Sequence, residues 1–165
     1  MNKSKVKKNI EVILNHFIII SSCILNMISL KYAMKEGYNF CWFTALERGC
    51  ALGMSLALFI NTKYGYRVIH YAFAILFSLI GGSLSLYQAY KFICPQYFSP
   101  YQPICGLHIY SWALMFFSFY FLLIAFSVFL HTGPHKRRKK PKAFEKGLIF
   151  ILIITTLSQF NYLIF

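Results

Sequence analysis

The chain has 165 residues, 58% of them hydrophobic and 19% aromatic, with 17 Lys and Arg against 4 Asp and Glu for a formal net charge of +13. Its apolar residues gather in blocks of about 20, the length that crosses the hydrocarbon layer of a bilayer, which excludes a soluble globular domain and marks an integral membrane protein. In a soluble chain that charge would suggest nucleic acid. Here the cations sit almost entirely in short tails and loops between apolar blocks, where they act as topology signals, and no nucleic-acid partner is expected.

The first span is predicted over residues 10–30, behind Lys3, Lys5, Lys7 and Lys8. Its apolar stretch is too long for a removable signal peptide and has no small-x-small cleavage site before Lys31. A short loop leads to a second span over residues 41–60, and a tight turn carrying Lys63 and Arg67 leads to a third over residues 68–86. The connection over residues 87–109 is longer and holds Cys94, Pro95, Pro100, Pro103 and Cys105. A fourth span covers residues 110–130, followed by the densest positive run, His135-Lys136-Arg137-Arg138-Lys139-Lys140-Pro141-Lys142. Next to a span this run reads as a topology anchor with some attraction to membrane lipid. Residues 147–165 begin continuously apolar, but Thr155, Thr156, Ser158, Gln159 and Asn161 crowd the second half. They form either a fifth span or a helix lying in the interface, the span being the preferred reading. The expected fold is therefore all-α, a polytopic membrane four-helix bundle over residues 1–131, a basic cytoplasmic loop over 132–146 and a C-terminal hydrophobic helix over 147–165.

Orientation follows from the cations. The N-terminal tail, the Lys63/Arg67 turn and the segment from Lys136 to Lys146 hold thirteen Lys and Arg, against three in the opposite loops, Lys31, Lys35 and Lys91. The excess puts the N-terminus in the cytoplasm and Cys41, Cys94 and Cys105 together on the other side. Of the remaining cysteines, Cys23 falls mid-membrane and Cys50 inside the second span, where buried thiols behave as small hydrophobes. Cys94 and Cys105 share a polar, Pro-rich loop facing a compartment that permits disulfides. A bond between them is either a structural staple or an exchangeable disulfide open to attack by another protein's thiolate.

Cys41 and Arg48 are candidates for one site. Seven positions at about 100° each come within about 20° of two full turns, so both residues share a helix face about 10 Å apart along the axis. A helix start favours a thiolate, which makes Cys41 a candidate nucleophile. A guanidinium within a run of Ala, Leu and Met costs a few kcal/mol unless it snorkels or meets a polar partner, so Arg48 needs a ligand, a headgroup or Glu47. No metal site is expected.

The run Cys41-Trp42-Phe43-Thr44-Ala45-Leu46-Glu47-Arg48 resembles the Cys-x-x-Cys-x-x-x-Arg pattern that opens the second span in the disulfide bond formation protein B (DsbB) family, and Cys50-Ala51-Leu52-Gly53 looks like the continuation with one residue of offset. Cys94 and Cys105 stand where the family has its second cysteine pair. Tyr110-x-Trp112 and Leu123-Ile124-Ala125-Phe126 look like its fourth span, so the resemblance covers about residues 10–131. It implies a bacterial inner-membrane oxidoreductase that reoxidises a soluble periplasmic thioredoxin-like dithiol oxidase (DsbA-like) and passes electrons to a quinone, ubiquinone or menaquinone. It also implies that Cys41, Cys94 and Cys105 carry the thiol chemistry and that Arg48 and Thr44 line the quinone site. One position departs from the pattern: Thr44 stands where the family has its second cysteine, and a hydroxyl cannot hand on electrons. Cys50 cannot replace it, because nine residues of helix separate it from Cys41 by about 13 Å, beyond the reach of a disulfide. The hand-off would either fall to Cys41 alone, with a loop cysteine resolving it, or fail.

Other readings stay open: a non-catalytic membrane scaffold or regulator of a thiol partner, a quinone reductase of the vitamin K epoxide reductase type, which would need a late Cys-x-x-Cys that this chain lacks, and a transporter. For transport, Asn15, His16, Asn26, Glu47, Arg48 and His70 form no evident polar path in the sequence. His108, close to Cys105, is a candidate for assisting thiol deprotonation. Oligomeric state is left open.

Overall fold

Apolar length and the absence of proline inside these segments produce long helices. The computed structural model describes residues 3–35, 42–93 and 107–131, together with Gly147, Phe150, Ile153, Ile154 and Leu157. Its helices are α1 (Lys3–Lys35), α2 (Trp42–Tyr64), α3 (Val68–Ile93) and α4 (Ile109–Leu130). Each contains a stretch long and apolar enough to cross a membrane: Asn9–Lys31, Phe43–Tyr64, Val68–Lys91 and Ile109–Leu130. This is a multi-pass membrane protein. A helix satisfies its own backbone groups, which lipid cannot do for it.

Helix ends depart from the hydropathy limits wherever a polar segment has no breaker. α1 starts in the lysine tail, and α3 runs on to Ile93 through Tyr87–Lys91, a segment the sequence assigned to a loop. Those residues lack Gly or Pro, and Gln88 and Ala89 are buried against the bundle. Pro95 then disfavours helix in the residue before it. α2 ends at Gly65, whose φ of 103° suits glycine alone among common residues and whose N–H returns to Asn61 O at 3.1 Å. The Asn61 Oδ1 completes this turn by accepting the Arg67 N–H at 2.9 Å and meeting His70 Nδ1 at 2.9 Å.

The helices run alternately up and down and close into a ring, α1 against α2, α2 against α3, α3 against α4 and α4 against α1. The seam of α3 has a heptad spacing: Tyr71, Ala74, Ser78, Gly81, Ser85 and Gln88 are all buried. That of α4 answers with Tyr110, Phe117, Tyr120, Ile124 and Ser127. Small residues let membrane helices approach closely, which matters because lipid offers no hydrophobic drive between helices. At Gly81 an added Cβ would run into the Phe117 ring, and Ser78 Oγ donates to the Phe117 carbonyl at 2.9 Å, so α4 is pinned to α3 there. Ile18, Ile19, Cys23, Met54, Leu58, Ala74 and Ile124 fill the middle of the bundle as one dry cluster. Ile13, Phe17, Ile28, Leu56, Phe73, Leu122 and Phe129 face outward, where a bilayer would cover them.

The bundle therefore has two ends. One gathers the start of α1, the α2–α3 turn and the close of α4, and is called the first end; the second end gathers the close of α1, the start of α2, the close of α3 and the start of α4. Gly147, Phe150, Ile153, Ile154 and Leu157 are helical and exposed, while the rest of the predicted fifth helix and the basic loop lie outside the described residues.

Candidate functional site

At the second end the ring opens around a cavity of about 700 Å³ enclosed by α1, α2 and α4, within the size range of sites for small organic ligands. Asn26 and Ser29 from α1 and Thr44, Glu47 and Arg48 from α2 border it, together with Ile109, Trp112, Phe116 and Phe117 from α4, and the surface open to the cavity is almost wholly apolar. Leu25, Ile28, Trp112 and Met115 line the cavity and are also exposed on the outer surface. Its mouth thus lies between α1 and α4, on the side a bilayer would cover.

Arg48 turns into the bundle, 5% exposed, with Nε donating to Ser29 Oγ at 3.3 Å and Nη2 to the Ser29 carbonyl at 3.1 Å. Glu47, one residue earlier and about 100° around the helix, faces the other way and accepts from Ser85 Oγ of α3 at 2.6 Å. The adjacent acid and base thus tie α2 to different neighbours. This resolves the choice among partners for Arg48: it is satisfied inward by α1 and still borders the cavity. Thr44, one turn before Arg48 on the same face, also lines the cavity, and its Oγ1 is shut off from solvent with no hydrogen-bond partner among the described residues. A buried hydroxyl left unbonded costs about 1–3 kcal/mol, and a turn of the Thr44 side chain would let a ligand in the cavity supply the bond.

The structure therefore brings together the two residues expected to hold a cofactor, Thr44 and Arg48. The three expected thiols, Cys41, Cys94 and Cys105, lie outside the described residues. The helix termini nearest them in the chain, Trp42, Ile93 and Ile109, all belong to the second end. Cys23 and Cys50 are buried and in no disulfide, Cys23 in the mid-bundle cluster and Cys50 against Ala51 and Phe117. His108 occupies the N-cap position of α4 without a side-chain capping bond.

A second polar cluster was missed by sequence reasoning. At the first end Glu11, fully buried, accepts from Tyr71 Oη at 2.9 Å and meets His131 Nδ1 at 2.9 Å through the same Oε1, while Asn15 Nδ2 donates to Tyr71 Oη at 2.8 Å. Tyr71 thereby reaches from α3 across the bundle to α1. A signal was present in the chain: Glu11, Asn15, Ser22, Asn26 and Ser29 recur at spacings of 4, 7, 4 and 3, one helical stripe of polar groups in an apolar span. Midway along it, Ser55 Oγ donates to Ser22 Oγ at 2.9 Å, and Ser22 Oγ donates to the Ala51 carbonyl at 3.2 Å. Between Asn15 and Ser22 the stripe is broken by Ile18 and Ile19, so the two polar clusters are separated by packed hydrocarbon.

No family model, curated protein or solved structure matches this chain.

Proposed function

We propose that this protein is an inner-membrane thiol–disulfide oxidoreductase of the DsbB type, which reoxidises a soluble periplasmic dithiol partner and passes the electrons to a quinone in the cavity at the second end. The observation that carries the reading is the cavity itself: an apolar space with aromatic side chains for a flat ring, bordered by Arg48 and by Thr44, whose hydroxyl has no hydrogen-bond partner among the described residues. A quinone head fits that chemistry, since its carbonyls accept charge-assisted hydrogen bonds and its apolar tail can leave through a mouth facing lipid. When bound it supplies an acceptor for two electrons and two protons, so that two thiols become one disulfide.

The protein's own residues then have distinct tasks. The partner's thiolate attacks the Cys94–Cys105 disulfide, and as its second thiol displaces the first, the partner leaves oxidised with Cys94 and Cys105 reduced. Cys41, one residue ahead of α2, would then lose two electrons and two protons to the acceptor together with one of these thiols, giving a disulfide between Cys41 and that loop cysteine, and the other loop thiol would displace Cys41 to restore the Cys94–Cys105 disulfide. Arg48 would orient the acceptor's carbonyl, Thr44 Oγ1 would donate a second hydrogen bond to it, and the closely packed α3–α4 seam keeps water from the far side. The three cysteines are placed on the periplasmic face by the excess of Lys and Arg in the opposite loops.

Thr44 favours one alternative, a non-catalytic relative that binds or regulates a thiol partner. A single experiment separates the two. Purified protein in detergent, given a reduced dithiol partner and a short-chain ubiquinone, is expected to reduce the quinone, and Thr44→Cys to do so faster. Absence of quinone reduction in both would overturn the enzymatic reading. Intact periplasmic disulfides in cells carrying Cys41→Ala would favour the regulator.

A further inference from the structure

The cluster at the first end has no part in the thiol chemistry, yet it joins the two helices that border the cavity mouth at the other. We propose that the contact of Glu11 with His131 and Tyr71 is a clasp that sets the gap between α1 and α4 and so governs entry from the bilayer to the cavity. The proposal rests on the reading of that cavity as a ligand site.

A carboxyl group buried in an apolar span costs several kcal/mol unless it is paired, and such residues in membrane helices usually mark function. Glu11 is fully buried and its Oε1 collects donors from two other helices or their ends, Tyr71 on α3 and His131 just beyond α4. Tyr66 of the α2–α3 turn, beside Tyr71, is a further titratable side chain close to this group. Losing the His131 contact leaves a buried acid short of a donor, so intermediate separations are disfavoured and the contact is either made or broken.

Mechanics carries the effect to the cavity. α4 is one unbroken helix from Ile109 to Leu130. It is pinned to α3 at Phe117 by Ser78 and by the bare backbone at Gly81, and to α1 by Tyr120 Oη donating to Ser21 Oγ at 2.7 Å. His131 lies about 16 Å along the axis to one side of Tyr120, and Trp112 about 12 Å to the other. A rigid rod held near its middle moves its ends in opposite directions. When His131 leaves Glu11, Trp112 moves toward α1 and the mouth between Ile28 and Met115 narrows.

Trp112 reports this directly. The chain has two tryptophans, so Trp42→Phe leaves Trp112 as the only one. In vesicles of brominated phosphatidylcholine, acyl chains entering the mouth quench its emission. Glu11→Gln and His131→Ala, each in that background, are expected to lower the quenching constant about fivefold, the low end of ordinary coupling between sites. The exchanged pair, Glu11→His with His131→Glu, is expected to restore it. Unchanged or stronger quenching in variants that keep the parent's helix content, or no recovery in the exchanged pair, would overturn the clasp. Quenching by lipid requires neither quinone nor thiol, so the clasp and the redox reading fail independently.

Discussion

At the scale of single residues, the second span holds two side chains of opposite charge whose fates are set by about 100° of helix rotation. Arg48 reaches Ser29 with two donors, a geometry that lysine cannot copy because its charge is a point rather than a fork. Arg48→Lys is therefore expected to weaken binding of a short-chain ubiquinone about tenfold, or about 1.4 kcal/mol, measured by titrating Trp112 emission in the Trp42→Phe background; an unchanged Kd would remove Arg48 from the site. Ser85→Ala takes away the hydroxyl bonded to Glu47. Single interhelical hydrogen bonds in membrane proteins average about 0.6 kcal/mol, so unfolding in detergent should show a small loss of that order, and a loss of several kcal/mol would mean that Glu47 has no other support. The spacing of Thr44 and Arg48 already put them on one face in the sequence. That Arg48 points to α1 and Glu47 to α3 was not legible, because it depends on which serines the neighbouring helices present at that depth.

At the scale of elements, the departures from hydropathy limits share one cause. Apolar length marks where lipid is, whereas helix ends are set by breakers and by burial of the last turns. α3 continues past its apolar block to Ile93 because nothing stops it before Pro95 and because Gln88 and Ala89 are buried. α2 stops at Tyr64 because Gly65 takes a left-handed conformation. Gly65→Ala is expected to destabilise the protein by about 1 kcal/mol or more, since it forces a side chain into that conformation, and denaturant unfolding in detergent measures it. Gly81→Leu attacks the α3–α4 seam where Phe117 already fills the space above the backbone, and should lower the Tm more than the same change at Gly49, where an added Cβ meets nothing within 4 Å. Equal effects at both glycines would contradict the close approach. The heptad spacing of α3 was visible in the chain as Tyr71, Ala74, Ser78, Gly81, Ser85 and Gln88, but its meaning needed a partner helix to pack against.

At the scale of the whole molecule, an antiparallel ring of four helices holds two polar clusters, parted along α1 by the buried Ile18 and Ile19. This arrangement predicts topology as well as chemistry: a reporter active only outside the cytoplasm should stay silent when fused after Tyr66 and work when fused after Lys91, the opposite ends of α3. Activity at both junctions would break the alternating order. The sequence by itself determined the membrane class and the four long apolar spans of the bundle, and it put Thr44 one helical turn before Arg48, because hydrophobic length and helical period are local properties of the chain. Only the tertiary structure decided that Arg48 turns inward to Ser29, that Thr44 borders a cavity with no hydrogen-bond partner among the described residues, and that Glu11 meets Tyr71 and His131 from across the bundle. A buried polar group in lipid must find its partner in another helix, and which helix lies beside it is a property of the packing.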